Sequence, residues 1–298
     1  MPSKAGNLFT LHFIVLLSSA IPIIVLFISL PALEIVFYRT LIAFLALGIF
    51  SYIKNYRLSL HIEDLSRIIL SGILTSLYWF LLILSAKISN ATVCLIGIST
   101  TSVWISFISP IVDKKGLNYF QIITGGVAIL GILIITQSDF EHPYGLFTGI
   151  LAGLFGASVT MLNARLSKGF HHYVITFYQM IGAWLGTLAF FPVYYFFIHD
   201  SQFVLLLPNV KDMFLIGTLV FVFSIFIYSQ FIKLMKSVSP FIVTLSANLS
   251  PIYGILVALI FLGDNEKMGI TFYMGAALIV GSVILYPILE KKVAKRRR

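Results

Sequence analysis

The sequence predicts an all-α membrane protein, with ten transmembrane helices arranged as two inverted five-helix repeats. Three observations predict it: too few charges for a water-facing surface, apolar runs of spanning length, and a weak likeness between the two halves of the chain. Of 298 residues, 59% are hydrophobic and 10% are Asp, Glu, Lys or Arg, against about 45–50% and about 25% in a soluble domain. The mean hydropathy of +1.01 means that apolar residues run on continuously instead of alternating with polar ones. A water-soluble fold is excluded, because so few charges cannot clothe a 33.3 kDa globule. A spanning helix takes about 20 apolar residues, so ten helices leave no room for a soluble domain.

Between charged, Pro, Gly and Asn breaks the apolar runs fall near 10–29, 33–53, 67–86, 91–112, 119–137, 145–164, 172–198, 212–235, 239–262 and 270–289. The first follows Lys4 and reads as a retained helix, since the stretch 8–30 exceeds a usual signal-peptide core and no small-x-small site follows it. Pro31 divides it from the second run, disfavouring helix at Leu30 and opening the next helix, as in a helical hairpin. Charges close the second, third and fourth runs at Lys54, Lys87 and Asp113-Lys114-Lys115, and polar residues around Ser138 close the fifth. The sixth ends at Arg165, and the seventh and eighth are parted by the loop between Ile198 and Asp212. Pro240 opens the ninth, which ends in an acidic turn at Asp264, and the tenth ends at Glu290 before the basic tail 291–298.

Basic residues orient these runs. With the N-terminus cytoplasmic, 16 of the 20 Lys and Arg fall inside and three, Lys87, Lys211 and Lys267, fall outside, with Arg39 left within a span. The net charge of +9 therefore marks topology and contact with anionic lipid, not nucleic acid. Both termini are expected on the cytoplasmic side of an inner or plasma membrane. The single Cys, Cys94, excludes an internal disulfide and a Cys-based metal cluster.

Sliding the chain on itself gives two registers. At an offset of 140, Ser18 meets Ser158, Phe37-Tyr38-Arg39 meets Phe177-Tyr178-Gln179 and Ala43 meets Ala183. At 150, Tyr78 meets Tyr228, Ser89 meets Ser239, Gly125 meets Gly275 and Gly131 meets Gly281, the ten extra residues lying in the loop before Asp212. The repeats are expected at 1–138 and 139–290. Five helices per half is an odd number, so the second half must enter the membrane from the opposite side, as in inverted-repeat carriers with a site between the halves. Ten helices in this arrangement, Arg39 in the second, Asn248-Leu249-Ser250-Pro251 leading to Gly263-Asp264 in the ninth, and Gly275 to Gly281 in the last resemble the drug/metabolite transporter superfamily, EamA type. The resemblance implies a secondary permease exporting metabolites or amino acids by alternating access. It also implies a cavity built from helices 1, 3, 4, 6, 8 and 9, with the fifth and tenth at the side. The first half departs from the second in having Thr101 where Pro251 stands.

Polar residues inside the spans are the candidate substrate contacts. An Arg at a helix centre costs roughly 2.5–3.5 kcal/mol on an insertion scale. Arg39 can hold a substrate carboxylate or phosphate, pair with Glu34, or snorkel outward, and the second half offers neutral Gln179 at its place. Ser99, Ser102, Ser106 and Ser109 share one helix face, which serves either tight packing or a cavity wall. Thr160 and Asn163 form a second row with Gly156, and Thr244 and Asn248 precede Pro251, whose ring frees a backbone carbonyl, as Pro22 does beside Ser18. Each Asn either bonds a neighbouring helix or offers its amide to a substrate. Tyr38, Tyr78, Trp79, Tyr178 and Tyr228 complete the candidates, the tyrosines because the repeat pairs them.

Several chemistries find no residues. Acids lie near span ends, at Glu34, Asp113, Asp264, Glu266 and Glu290, so a buried acidic proton relay has no member. Neither a Walker A sequence nor HExxH nor GxSxG occurs. His171-His172 lacks a third ligand and His12 lies near a helix end. No cofactor or metal is expected; the partners are a small metabolite and membrane lipid, with a homodimer left open. The rival is a polytopic enzyme or scaffold acting on lipid, for which paired acids or a His constellation at one membrane surface are missing.

Overall fold

The computed structural model describes residues 4–56, 58–114, 116–136, 142–197, 205–253 and 270–296. All regular structure among them is helical: α1 (Lys4–Ser18), α2 (Ile21–Leu26), α3 (Ala32–Ile53), α4 (Ile62–Ile88), α5 (Ala91–Ser99), α6 (Thr101–Asp113), α7 (Tyr119–Thr136), α8 (Pro143–Gly169), α9 (His172–Phe197), α10 (Val210–Thr218), a π-helical segment (Leu219–Ile227), α11 (Tyr228–Leu234), α12 (Pro240–Ala247) and α13 (Ile270–Arg296). Eight helical stretches among the described residues are long and apolar enough to cross a membrane, and Tyr119–Ile135 is a shorter apolar helix. Phe9, Ile49, Ile123, Phe214 and Ile284 stand out from the bundle, each more than half exposed. An exposed apolar girdle of this kind requires lipid around it.

Side-chain caps start several helices. Asn90 accepts the Val93 N–H at 2.9 Å, Asn209 the Asp212 N–H at 2.8 Å and Ser239 the Ile242 N–H at 3.3 Å, each satisfying an orphan donor of a first turn. Three helices outrun their apolar cores. The third begins five residues before the expected Arg67, because Glu63 and Asp64 favour a helix N-terminus and face Arg67 at 3.8 and 3.7 Å. The sixth continues to Gly169, placing Arg165 and Lys168 on its last turns, and the last runs through the basic tail to Arg296. A hydropathy pattern stops where the helix leaves lipid, whereas the hydrogen-bond ladder continues into water. The end of the expected ninth run, with Asp264, Glu266 and Lys267, lies outside the described residues.

Several spans are irregular at mid-length. Between α1 and α2 the chain turns at residues 19–20, where Ser18 and Ser19 hydroxyls donate back to Ile14 and Leu16 carbonyls and Pro22 has no N–H to give Ser18. At Thr100 the N–H falls back to Gly97 O, and the hydroxyls of Ser99, Thr100 and Thr101 each donate to the carbonyl three residues earlier. At residues 248–249 the N–H groups bond Leu245 O and Ser246 O, and Pro251 leaves the Ala247 carbonyl without its helical donor. The π segment widens the helix between α10 and α11, and Ser224 Oγ donates five residues back to Leu219 O at 3.1 Å.

Packing places α4 between α8 and α9, α3 against α9 and the π segment, α5 and α6 against α8, and α7 against α13. Glycines set the closest crossings. A Cβ on Gly72 of α4 would lie 2.9 Å from the Gly182 Cα of α9, and one on Gly131 of α7 would lie 2.7 Å from the Gly275 carbonyl oxygen of α13. Only hydrogen at those positions lets the backbones meet.

Candidate functional site

A cavity of about 180 Å³ lies where the irregular helices converge. Ser18, Arg39, Tyr78, Trp79, Ser99, Thr160, Asn163, Tyr228, Thr244 and Asn248 line it, together with Pro22, Ala247, Ser250 and Pro251 and an apolar wall that includes Phe223, Ile227, Phe231 and Met235. It is smaller than the roughly 300–1,000 Å³ pockets that hold drug-sized ligands, and therefore suits a small solute.

Arg39 is 2% exposed. Its Nε donates to Ser224 Oγ at 2.6 Å and its guanidinium carbon lies 3.8 Å over the Trp79 ring, which meets Tyr228 edge-on at 5.5 Å. The alternative pairing with Glu34 is not made. Five helical residues turn the two side chains about 140° apart, and Glu34 instead accepts from the Tyr195 hydroxyl. Nor does Arg39 snorkel, since Ser224 and Trp79 hold it inward.

Beside it runs a polar chain. Asn163 Nδ2 donates to Tyr228 Oη at 3.1 Å, Tyr228 meets Thr75 Oγ1 at 3.2 Å, and Gln179 Nε2 donates to Asn163 Oδ1 at 2.5 Å and to Ser71 Oγ at 2.7 Å. Across the cavity, Asn248 Nδ2 donates to Ser102 Oγ at 3.2 Å. Both asparagines thus bond neighbouring helices and also border the cavity.

The remaining candidates lie elsewhere, for reasons of helix phase. Tyr38 precedes the cavity-lining Arg39 and Tyr178 precedes the inward-packed Gln179 by one position, about 100° round the helix. Their hydroxyls donate to Leu206 O at 3.0 Å and to Leu58 O at 2.5 Å. Gln179 is fully buried behind Asn163 and does not reach the cavity itself. Ser102 and Ser106 are buried at helix contacts, with hydroxyls returned to Ser99 O and Ser102 O, so beyond Ser99 the serine row serves packing. Half-buried Ser109 turns to Asp113.

Sequence reasoning missed Ser71, Thr75 and Ser224, which hold the polar chain and Arg39. Ser224 carried a signal: it is the lone polar residue between Leu219 and Ile227. It also missed Asp212, buried at 1% exposure, whose carboxylate accepts the Ser29 N–H at 2.9 Å and the Ser29 hydroxyl at 2.5 Å. Lys87 Nζ donates to Ile28 O at 2.7 Å nearby, so the ends of α2, α4 and α10 are tied together. No residue of that knot lines the cavity, and about 15 Å of helix separates Asp212 from Phe223. At the opposite end the lining continues to Met235 and Val243.

The profile of the EamA-like transporter family matches residues 4–137 and again 143–286. The chain belongs to the EamA-like transporter family. This EamA-like transporter is accordingly a multi-pass membrane protein with a permease fold, and family members are generally transporters rather than enzymes. Its fold is similar to that of a solved structure titled "Crystal structure of protein", with 14% identity, a TM-score of 0.71, and 96% of this chain and 99% of that one covered. No curated protein matches the transporter.

Proposed function

We propose that the protein is a secondary carrier of small organic metabolites, amino acids among them, working by alternating access to the cavity beside Arg39. The observation that carries the reading is a partly open cavity, mainly apolar but holding Arg39, Asn163 and Asn248, at the point where helices break in three places, at residues 19–20, at Thr100 and at 248–249. Broken helices expose backbone carbonyls to a solute only where they border a cavity, which is the usual construction of a carrier site.

The carrier has ten spans in two inverted halves. In support, α3 packs on the π segment as α9 packs on α4, and α7 packs on α13, contacts that interchange when the halves are exchanged. The two segments matched by the family profile divide the chain at the same place as the repeat. The end bearing Lys4, Lys54, Lys114, Arg165 and Lys233 is cytoplasmic on the distribution of basic residues. With that orientation the knot at Asp212, Ser29 and Lys87 seals the outer side, and the cavity leans inward. Solute exchange then requires the knot to open while the inner ends close.

Purified protein reconstituted into liposomes and offered a panel of radiolabelled metabolites tests the reading. Saturable flux of at least one solute is the expected result. No flux across the panel, with turnover of bilayer lipid instead, would replace it with the lipid-enzyme alternative.

A further inference from the structure

We infer that the solute carries a carboxylate and that the Arg39 guanidinium is its anchor. This deepens the carrier reading and rests on it. Arg39 keeps its proton at any physiological pH. Burying such a cation without a partner is strongly unfavourable. Yet no ion pair among the described residues includes it: the pairs are Arg67 with Glu63 and Asp64, and Arg165 with Asp113, all near the ends. Neither of the buried acids in these spans pairs with it: Glu34 accepts from the Tyr195 hydroxyl through one carboxylate oxygen while the other has no hydrogen-bond partner among the described residues, and Asp212 accepts from Ser29.

What does hold Arg39 leaves one edge of it open. Ser224 takes Nε and Trp79 covers one face, while the two terminal nitrogens make no hydrogen bond to a described residue, in a side chain that borders the cavity. A guanidinium fixed in plane by Nε and by its face presents those terminal N–H groups as a fork that matches a carboxylate bidentately. Among the described residues the lining includes no Lys, no second Arg and no Asp or Glu, so a single negative charge neutralises that lining. Phe223, Ile227 and Met235 supply an apolar wall, which favours an organic body over a hydrated inorganic anion.

The test uses full-length protein in phosphatidylcholine nanodiscs and two isosteric pairs, benzoate with benzamide and 4-methylpentanoate with 4-methylpentanamide. Affinity is read by titration calorimetry and by the ligand-induced shift in unfolding temperature. Each acid is expected to bind about 10- to 100-fold tighter than its amide, the loss that accompanies removal of a charged hydrogen-bond partner. Arg39→Gln should erase that preference, and Arg39→Lys should keep part of it as a point charge. If Arg39→Gln does not fold, the wild-type comparison and the Lys variant still decide. Amides binding as tightly as acids, an acid preference that survives in Arg39→Gln, or loss of benzoate binding to phosphatidylglycerol nanodiscs through headgroup competition would each overturn the proposal. The failures are separable. Liposomes that move only neutral solutes would refute the anchor and leave the carrier, whereas acid preference without any flux would keep the anchor and refute the carrier.

Discussion

On the proposed repeat Arg39 and Gln179 hold matching places in the two halves, and their surroundings differ sharply. Gln179 is closed in between α4 and α8, its amide donating to Ser71 and Asn163, so it works as mortar between helices. Arg39 meets the widened π segment instead of a regular helix, gives only Nε to Ser224, and lines the cavity with its terminal nitrogens unbonded to any described residue. The same contrast recurs in the partners: α4 is a continuous α-helix where the equivalent second-half span contains the π segment. On the proposed anchor role of Arg39, one half supplies rigidity and the other the solute contact. A repeat that begins symmetric can divide labour when a single polar side chain is changed at a matching position.

The largest expected effect breaks the Arg39 side of this comparison. Arg39→Gln should lower kcat/KM for transport by about 100-fold, with abundance in the membrane unchanged. The swap Arg39→Gln with Gln179→Arg should not restore it, because Ser71 and Asn163 close the second position. Flux and quantitative blotting of the two variants side by side check both statements. Next is Asn163→Leu, which takes one hydrogen-bond partner each from the Gln179 amide and the Tyr228 hydroxyl, leaving them Ser71 and Thr75. It should destabilise by about 1–3 kcal/mol in thermal unfolding, whereas Thr160→Val should cost less, since Thr160 Oγ1 bonds only its own helix at Gly156 O. The smallest effect compares another matched pair. Gly131→Ala should cost about 1–2 kcal/mol, overpacking against α13 being offset in part by helix propensity. Gly281→Ala meets nothing within 4 Å and should be neutral or slightly stabilising. Equal melting shifts for the two glycines would undo the claim that only the first sits at a crossing.

Much of this division was legible in the chain. A polar residue stands out against lipid-soluble neighbours, so Arg39, Asn163 and Asn248 announced themselves, and Pro22 and Pro251 marked the broken helices. Helix phase was harder to read. Tyr38 looked as eligible as Arg39, and only packing shows which of two adjacent side chains turns inward. The serine row misled because a shared face says nothing about whether that face meets a cavity or another helix. The π segment left no trace, for a stretch apolar at nearly every position has no period from which a change of pitch could be read. Asp212 was hidden by its place at a run boundary, where an acid is ordinarily solvated.

Alternating access is the central claim, and the knot beside Asp212 tests it most directly. A Ser29→Cys, Asp212→Cys protein with Cys94→Ala can be oxidised to tie the link after α2 to α10 at the Ser29–Asp212 contact, then assayed for flux in liposomes before and after reduction. The carrier account predicts that oxidation abolishes flux while leaving benzoate binding in place, and that reduction restores it. Full flux through the oxidised protein would contradict the account, because the solute would then cross without the sealed end ever opening.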